Sequence, residues 1–152
     1  MGYGKHLRQR GDFPFFFAQP PAWACYPDVA PCLEWLQESG IAWGIASNFD
    51  CRLRAVVAGT PLLRNCHFLA ISSEIGWRKP AAEFFAALPA ITGLPLARLL
   101  LVGNDEANDL EGGDAAGLTA VLLVRHSGST TPPAITSLGQ LPQWLKESGT
   151  IP

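Results

Sequence analysis

The 152 residues hold no uninterrupted apolar run near the roughly 20 that a membrane-crossing helix needs. The sequence therefore predicts no membrane span. Surplus charge is also scant: the formal balance is -2, so nothing electrostatic points to nucleic acid or an anionic bilayer. Cys25, Cys32, Cys51 and Cys66 form no C-x-x-C pair and no zinc-like spacing. Buried free thiols in a reducing compartment are the expectation, and with them a cytoplasmic location. His6, His67 and His126 have no partners at metal or triad spacing. A G-x-G-x-x-G stretch is missing, which makes a cofactor-dependent oxidoreductase a distant reading. There is no internal repeat and no low-complexity tract. The N-terminus, "MGYGKHLRQRGDFPFFF", sets basic residues before an apolar run. That run, "FPFFFA", is too short for the core of a signal peptide, and no clean cleavage pattern follows.

What is present is a globular composition, 48% apolar and 16% charged, long enough for one domain with a real core. From Asp28 the pattern is regular. "PDVAPCLEWLQESG" predicts a helix with Asp28 as N-cap, Val29, Cys32, Leu33 and Leu36 on one face, and Gly40 as the stop. Residues 41–47 and 66–71 read as strands, and "FDCRLRAVVAGT" between them as a helix burying Leu53, Val56 and Val57. A helix is expected to start with Pro80 at its first position and to end or kink at Pro89. Residues 96–103 predict a third strand, 106–117 a third helix and 118–124 a fourth strand. The spread tryptophans read as packing residues. Domain limits follow: an N-terminal extension over 1–27, a core over 28–126, and a C-terminal loop with a short helix over 127–152.

Strands alternating with helices imply crossover connections, hence a parallel sheet covered by helices on both faces, and ligands at the carboxyl ends of its strands. Ser47, Lys79 and the Asn104–Asp105–Asp109 cluster all fall at or just past such ends. Each has a plain explanation in isolation. Asp105 suits a helix N-cap, worth about 0.5–2 kcal/mol, with Asp109 four residues on along the same side. Capping leaves Gly103, Gly112 and Gly113 unexplained, and oxygen ligands on a tight turn also suit Mg2+. Ser47 followed by Asn48 suits either a helix cap or an anion site at free N–H groups. A lone loop lysine such as Lys79 is ordinarily solvated.

Order and spacing change the weighing. "GIASNFD", "SSEIGWRKPAAEFF" and "LLLVGNDEANDLEGGDAAGL" together resemble the haloacid dehalogenase-like (HAD) hydrolase superfamily, especially its small-molecule phosphatase branches. The likeness covers roughly Trp23 to Val124. Its second motif, a strand-end Ser or Thr, matches Ser47; its third, a Lys often before Pro, matches Lys79. Its fourth, a pair of acids after an apolar strand, matches the Asn104–Asp109 stretch.

The resemblance implies a three-layer Rossmann-like fold and Mg2+-dependent hydrolysis of a small phosphorylated molecule. Ser47, Asn48 and Lys79 would bind phosphate, Ser47 and Lys79 acting in the reaction, while Asp105, Asp109 and Asn104 would serve the metal. In the family an aspartate attacks phosphorus to give an aspartyl-phosphate that water hydrolyses. Two departures stand out. Asn104 occupies the place where the fourth motif commonly has its first Asp. The first motif, an apolar strand ending in Asp-x-Asp, matches nothing before Ser47. The expectation is therefore a core incomplete on its N-terminal side, without most or all of the cap and with impaired hydrolysis. The alternative is a non-catalytic remnant that binds an anion or a protein. The absent strand would lie between the strands ending at Ser47 and Gly103, so Phe13–Phe17, a second chain or self-association is expected to complete the sheet.

Overall fold

The computed structural model describes residues 23–126 and 133–149. Helix α1 (Val29–Glu38) is followed by strand β1 (Gly44–Ser47), helix α2 (Leu53–Gly59), strand β2 (Phe68–Ile71) and a short helix α3 (Ser72–Ile75). Helices α4 (Ala82–Ala86) and α5 (Leu88–Thr92) lead to strand β3 (Leu100–Gly103). A π-helical segment, Glu106–Glu111, runs directly into helix α6 (Gly112–Ala116), then come strands β4 (Thr119–Leu123) and β5 (Ala134–Ile135) and helix α7 (Leu141–Glu147).

All strand pairings are parallel, in two sheets: β1 with β2, and β3–β4–β5. Strand alternation sends neighbouring side chains to opposite faces. Leu100, Val102, Val121 and Leu123 face α1 and α7, where Cys32, Leu36, Leu141 and Leu145 form one core. Trp43, just ahead of β1, packs into that same core. On the other face Leu101 and Ala46 meet Phe84, Phe85 and Leu88 of α4 and α5, and Ala120 and Leu122 meet Leu110. The two sheets thus share both helical layers. This is the three-layer Rossmann-like arrangement with helices on both faces.

Several expectations need correcting. Asp28 precedes α1 but makes no side-chain cap; its carboxylate is turned to Arg125, Ser137 and Leu138. The runs 41–47 and 96–103 are strand only over their last four residues, and Leu96–Arg98 is a 3-10 turn. Pro80 does not open a helix; it sits in a turn after a cis Lys79–Pro80 bond, and α4 starts at Ala82. Pro89 does break the helix, falling in the first turn of α5. All four cysteines are free, but only Cys32 is buried and Cys51 is exposed. Trp35, Trp43 and Trp144 pack on the core, whereas Trp23 and Trp77 are exposed. Among the described residues no helix is long and apolar enough to cross a membrane. Phe13–Phe17 lie outside the described residues.

Candidate functional site

The carboxyl ends of β1 and β3 open on the same place because one side chain joins them. Lys79 lies in the turn before α4, held from both sides by Asn48. The Asn48 Nδ2 donates to the Lys79 carbonyl at 2.9 Å, and the Lys79 N–H donates to Asn48 Oδ1 at 2.8 Å. This amide clamp ties the turn to the residue that follows β1. It aims the Lys79 ammonium inward, where it donates to Asp109 Oδ1 at 2.5 Å and to the Ala46 carbonyl at 2.9 Å. Lys79 is only 7% exposed and Asp109 5%, so the pair is largely withdrawn from water. An ammonium has three donors. Two are spent here, and the third has no partner among the described residues.

The acidic stretch divides its labour. Asp105 caps the π-helical segment, accepting from the Asn108 N–H at 2.9 Å and from Asn108 Nδ2 at 2.7 Å. These Asn108 donors, the backbone one first, hold its carboxyl below the usual carboxylate range. Asp109 turns the other way, its Oδ2 accepting from the Asp105 N–H at 3.1 Å. The acids therefore do not repel unshielded: one is a cap and the other an ion-pair partner.

Close approach accounts for the three glycines. A Cβ on Gly103 would overlap the Asp109 carboxyl, so only glycine lets that side chain lie across the end of β3. A Cβ on Gly112 would come 2.8 Å from Pro80, and one on Gly113 3.0 Å from Ala120. Glycine at both positions seats α6 against the lysine turn and the sheet.

The structure brings together Lys79, Asn48, Asp109 and Asp105. Ser47 ends β1 half-buried, and Asn104 stands exposed after β3; neither side chain has a hydrogen-bond partner among the described residues. Beside them, a cavity of about 620 Å3 lies over the ends of β3 and β4, lined in part by Asn104, Glu106, Tyr26, Arg125 and His126. Sequence reasoning missed Asn108 and the Ala46 carbonyl. Asn108 had a legible signal, an amide three residues after a capping Asp; a main-chain acceptor has none.

The donor set suits Mg2+. That ion takes one or two carboxylates and keeps several waters. Asp105 and Asp109 each have one bond per oxygen, which leaves lone pairs for a cation. No cluster of three His, Cys, Asp or Glu gathers among the described residues, so such an ion would remain largely hydrated.

Comparison with known proteins places the arrangement. The family described as HAD-hydrolase-like matches residues 76–147. Haloacid dehalogenase-like hydrolase domain-containing protein 3 of Danio rerio is 28% identical over 138 residues, covering 87% of this chain and 57% of the relative. Ribulose-1,5-bisphosphate 5-phosphatase of Halopiger xanaduensis is 34% identical over 104 residues, 63% of this chain and 41% of that protein. A solved HAD phosphatase from Thermococcus onnurineus superposes with a TM-score of 0.75 at 26% identity, covering 83% of this chain and 60% of its own. The chain spans about half the length of the curated relatives it matches.

Proposed function

We propose that this chain, which belongs to the haloacid dehalogenase-like superfamily, holds the phosphoryl group of a small phosphate monoester and, among the described residues, has no aspartate placed to attack it. The observation that carries this reading is the buried Lys79 ammonium at the strand ends, with one N–H unspent among the described residues. A cation fixed in a water-poor site stabilises spread anionic charge without having to reorganise. Ser47 donates its hydroxyl, and Asn48 its main-chain N–H, to the same phosphoryl oxygens. Asp105, with Asp109 and Asn104, holds Mg2+; when bound, that ion neutralises phosphoryl charge.

The impairment follows from where the acids are. No Asp-x-Asp occurs in the 152 residues. Asp28 is bound by Arg125, Asp50 by Arg52, Asp105 by Asn108 and Asp109 by Lys79. Asp114 lies on α6, and Asp12 is outside the described residues. With no unpaired aspartate at the mouth among the described residues, the two-step route through a phosphorylated aspartate has no starting group there. The same disposition supports the second reading, a remnant that keeps an anion or a protein partner without turnover.

The test pairs binding with turnover. Inorganic phosphate, titrated calorimetrically with Mg2+ present, is expected to bind the wild-type chain and not Lys79→Ala. Hydrolysis of p-nitrophenyl phosphate is expected to stay at background for wild type, Lys79→Ala and Asp109→Ala alike. Turnover that requires Mg2+ and vanishes in both variants would overturn the impaired reading, and equal phosphate binding by Lys79→Ala would overturn the site.

A further inference from the structure

Arg125 is a second cation with donors to spare, and it lines a cavity. An arginine carries five N–H donors in one rigid plane. Both of its contacts with Asp28 go through Nη1, at 2.9 and 3.1 Å. Nη2 and Nε therefore have no partner among the described residues. The side chain is 18% exposed, and donors so far withdrawn from water are costly unless something accepts from them. The Tyr26 ring covers one face of the guanidinium, 4.0 Å away, and fixes its plane. With that face stacked and the Nη1 corner on Asp28, the Nε–Nη2 edge is the one left to a ligand.

The cavity, of about 620 Å3, has the size of a small-molecule site. One of its walls is Asn104, which stands beside the acids of the phosphate mouth; Arg125 is on another. Between them lie Val102, Leu122, Leu123 and Val124, an apolar stretch with a polar group at each end. Gly103 is in register with Leu122, so Arg125 stands two residues further along its strand than Asn104 does along the neighbouring one. Two residues of rise and one strand spacing put their backbones about 8 Å apart.

We propose that this cavity receives the leaving group of the phosphate ester and that Arg125 binds a carboxylate at its far end. The inference rests on the reading that puts the phosphoryl group at Lys79. Nε and Nη2 each donate to one carboxylate oxygen, the two-pronged geometry that a planar guanidinium favours. An apolar spacer of about four to six carbons spans the distance, which a two-carbon acid does not. The substrate class is then the monophosphate of a longer-chain hydroxy acid. Charge favours a carboxylate over a second phosphate. Asp28 already sits on Nη1 and Glu106 lines the same cavity, so Arg125 offsets one further negative charge better than two.

Calorimetry on the full chain with Mg2+ present compares n-alkyl phosphates, ω-carboxylated alkyl phosphates and α,ω-bisphosphates of two, four and six carbons. At four or six carbons the carboxylated ester is expected to bind about tenfold or more tighter than the alkyl ester, with no gain at two. Arg125→Lys keeps a cation for Asp28 but loses the fork. It should abolish that gain and bind the alkyl ester as wild type does. Equal binding of alkyl and carboxylated esters at every length would overturn the carboxylate site and leave the Lys79 reading standing. Failure of inorganic phosphate to bind would overturn that reading and this extension with it. Tighter binding of the bisphosphates would overturn the choice of a carboxylate. Should Arg125→Lys fail to fold, the Arg125 Nε–H resonance of the wild-type chain decides. It should shift with the six-carbon carboxylated ester and not with hexyl phosphate, and a gain in affinity without that shift would rule Arg125 out.

Discussion

Asp28 and Asp109 are both carboxylates withdrawn from water and paired with one cation, and they serve opposite ends. Asp28 is saturated. Its Oδ2 accepts from Arg125 at 2.9 Å, Ser137 Oγ at 2.8 Å and the Leu138 N–H at 2.8 Å, while Oδ1 takes a second contact from Arg125 at 3.1 Å. The Arg125 guanidinium is itself stacked on Tyr26. Start of α1, end of β4 and the turn before α7 are thereby pinned at one point. Asp109 and its lysine are more deeply buried, and the carboxylate is less completely used: among the described residues one ammonium N–H and a lone pair on each carboxylate oxygen are unspent. The Asp28 pair ties three elements of the fold together, whereas the Lys79 pair keeps capacity at the strand ends, which is what the proposed phosphate site draws on.

The sharpest way to break this contrast is Asp109→Ala. It strands a buried ammonium, and breaking a buried pair costs about 3–5 kcal/mol. Urea unfolding should show that loss, and calorimetry should show altered phosphate binding. Next is Gly103→Ala. Overpacking costs about 1–3 kcal/mol, and the upper end is expected because the displaced group is a short carboxylate already held by Lys79 and the Asp105 N–H. Phosphate binding should weaken along with stability.

Asp28 gives a third, pH-dependent effect. The Arg125 hydrogen bond, ahead of those from Ser137 and Leu138, lowers its carboxyl from 3.8 to about 2 against the opposing effect of burial. A depressed folded value means stability that is complete above the ordinary value and lost as pH falls toward the folded one. Denaturant midpoints should therefore drop between pH 4 and pH 2, by about 2 kcal/mol from this group. Asp28→Asn should flatten that drop and leave phosphate binding at neutral pH intact. Smallest of all is Arg54→Ala. Its 2.6 Å pair with Glu74 is exposed, and no shift of the unfolding midpoint is expected. Weakened phosphate binding in Asp28→Asn would erase the distinction between the two pairs.

How far the sequence disclosed this depends on the range of the interaction. Elements with local causes were legible: α1 and its Gly40 stop, the break at Pro89, the Asp105 cap with its acceptor three residues from Asn108. Lys79 was singled out by resemblance to a motif; taken alone it read as a solvated loop residue, because its burial depends on Asn48 and Asp109, about 30 residues to either side. Asp28 was misread as a cap for the same reason, its partners lying 97 to 110 residues away. The π-helical turn and two-residue β5 carry no periodic signal long enough to read. Gly103, Gly112 and Gly113 were visible as glycines, but the bulk each must avoid arrives from elsewhere in the chain.

The contact of Pro80 with Gly112 makes Lys79 and Asp109 neighbours twice over. One tie is their attraction; the other is close packing, because the residue after the lysine sits so near the helix that continues from the aspartate that a Cβ on Gly112 would come 2.8 Å from Pro80. Their spacing is accordingly a property of the scaffold, and would persist if either charge were neutralised. An anion bound as proposed would meet a cation that already stands in place, held by its partner Asp109.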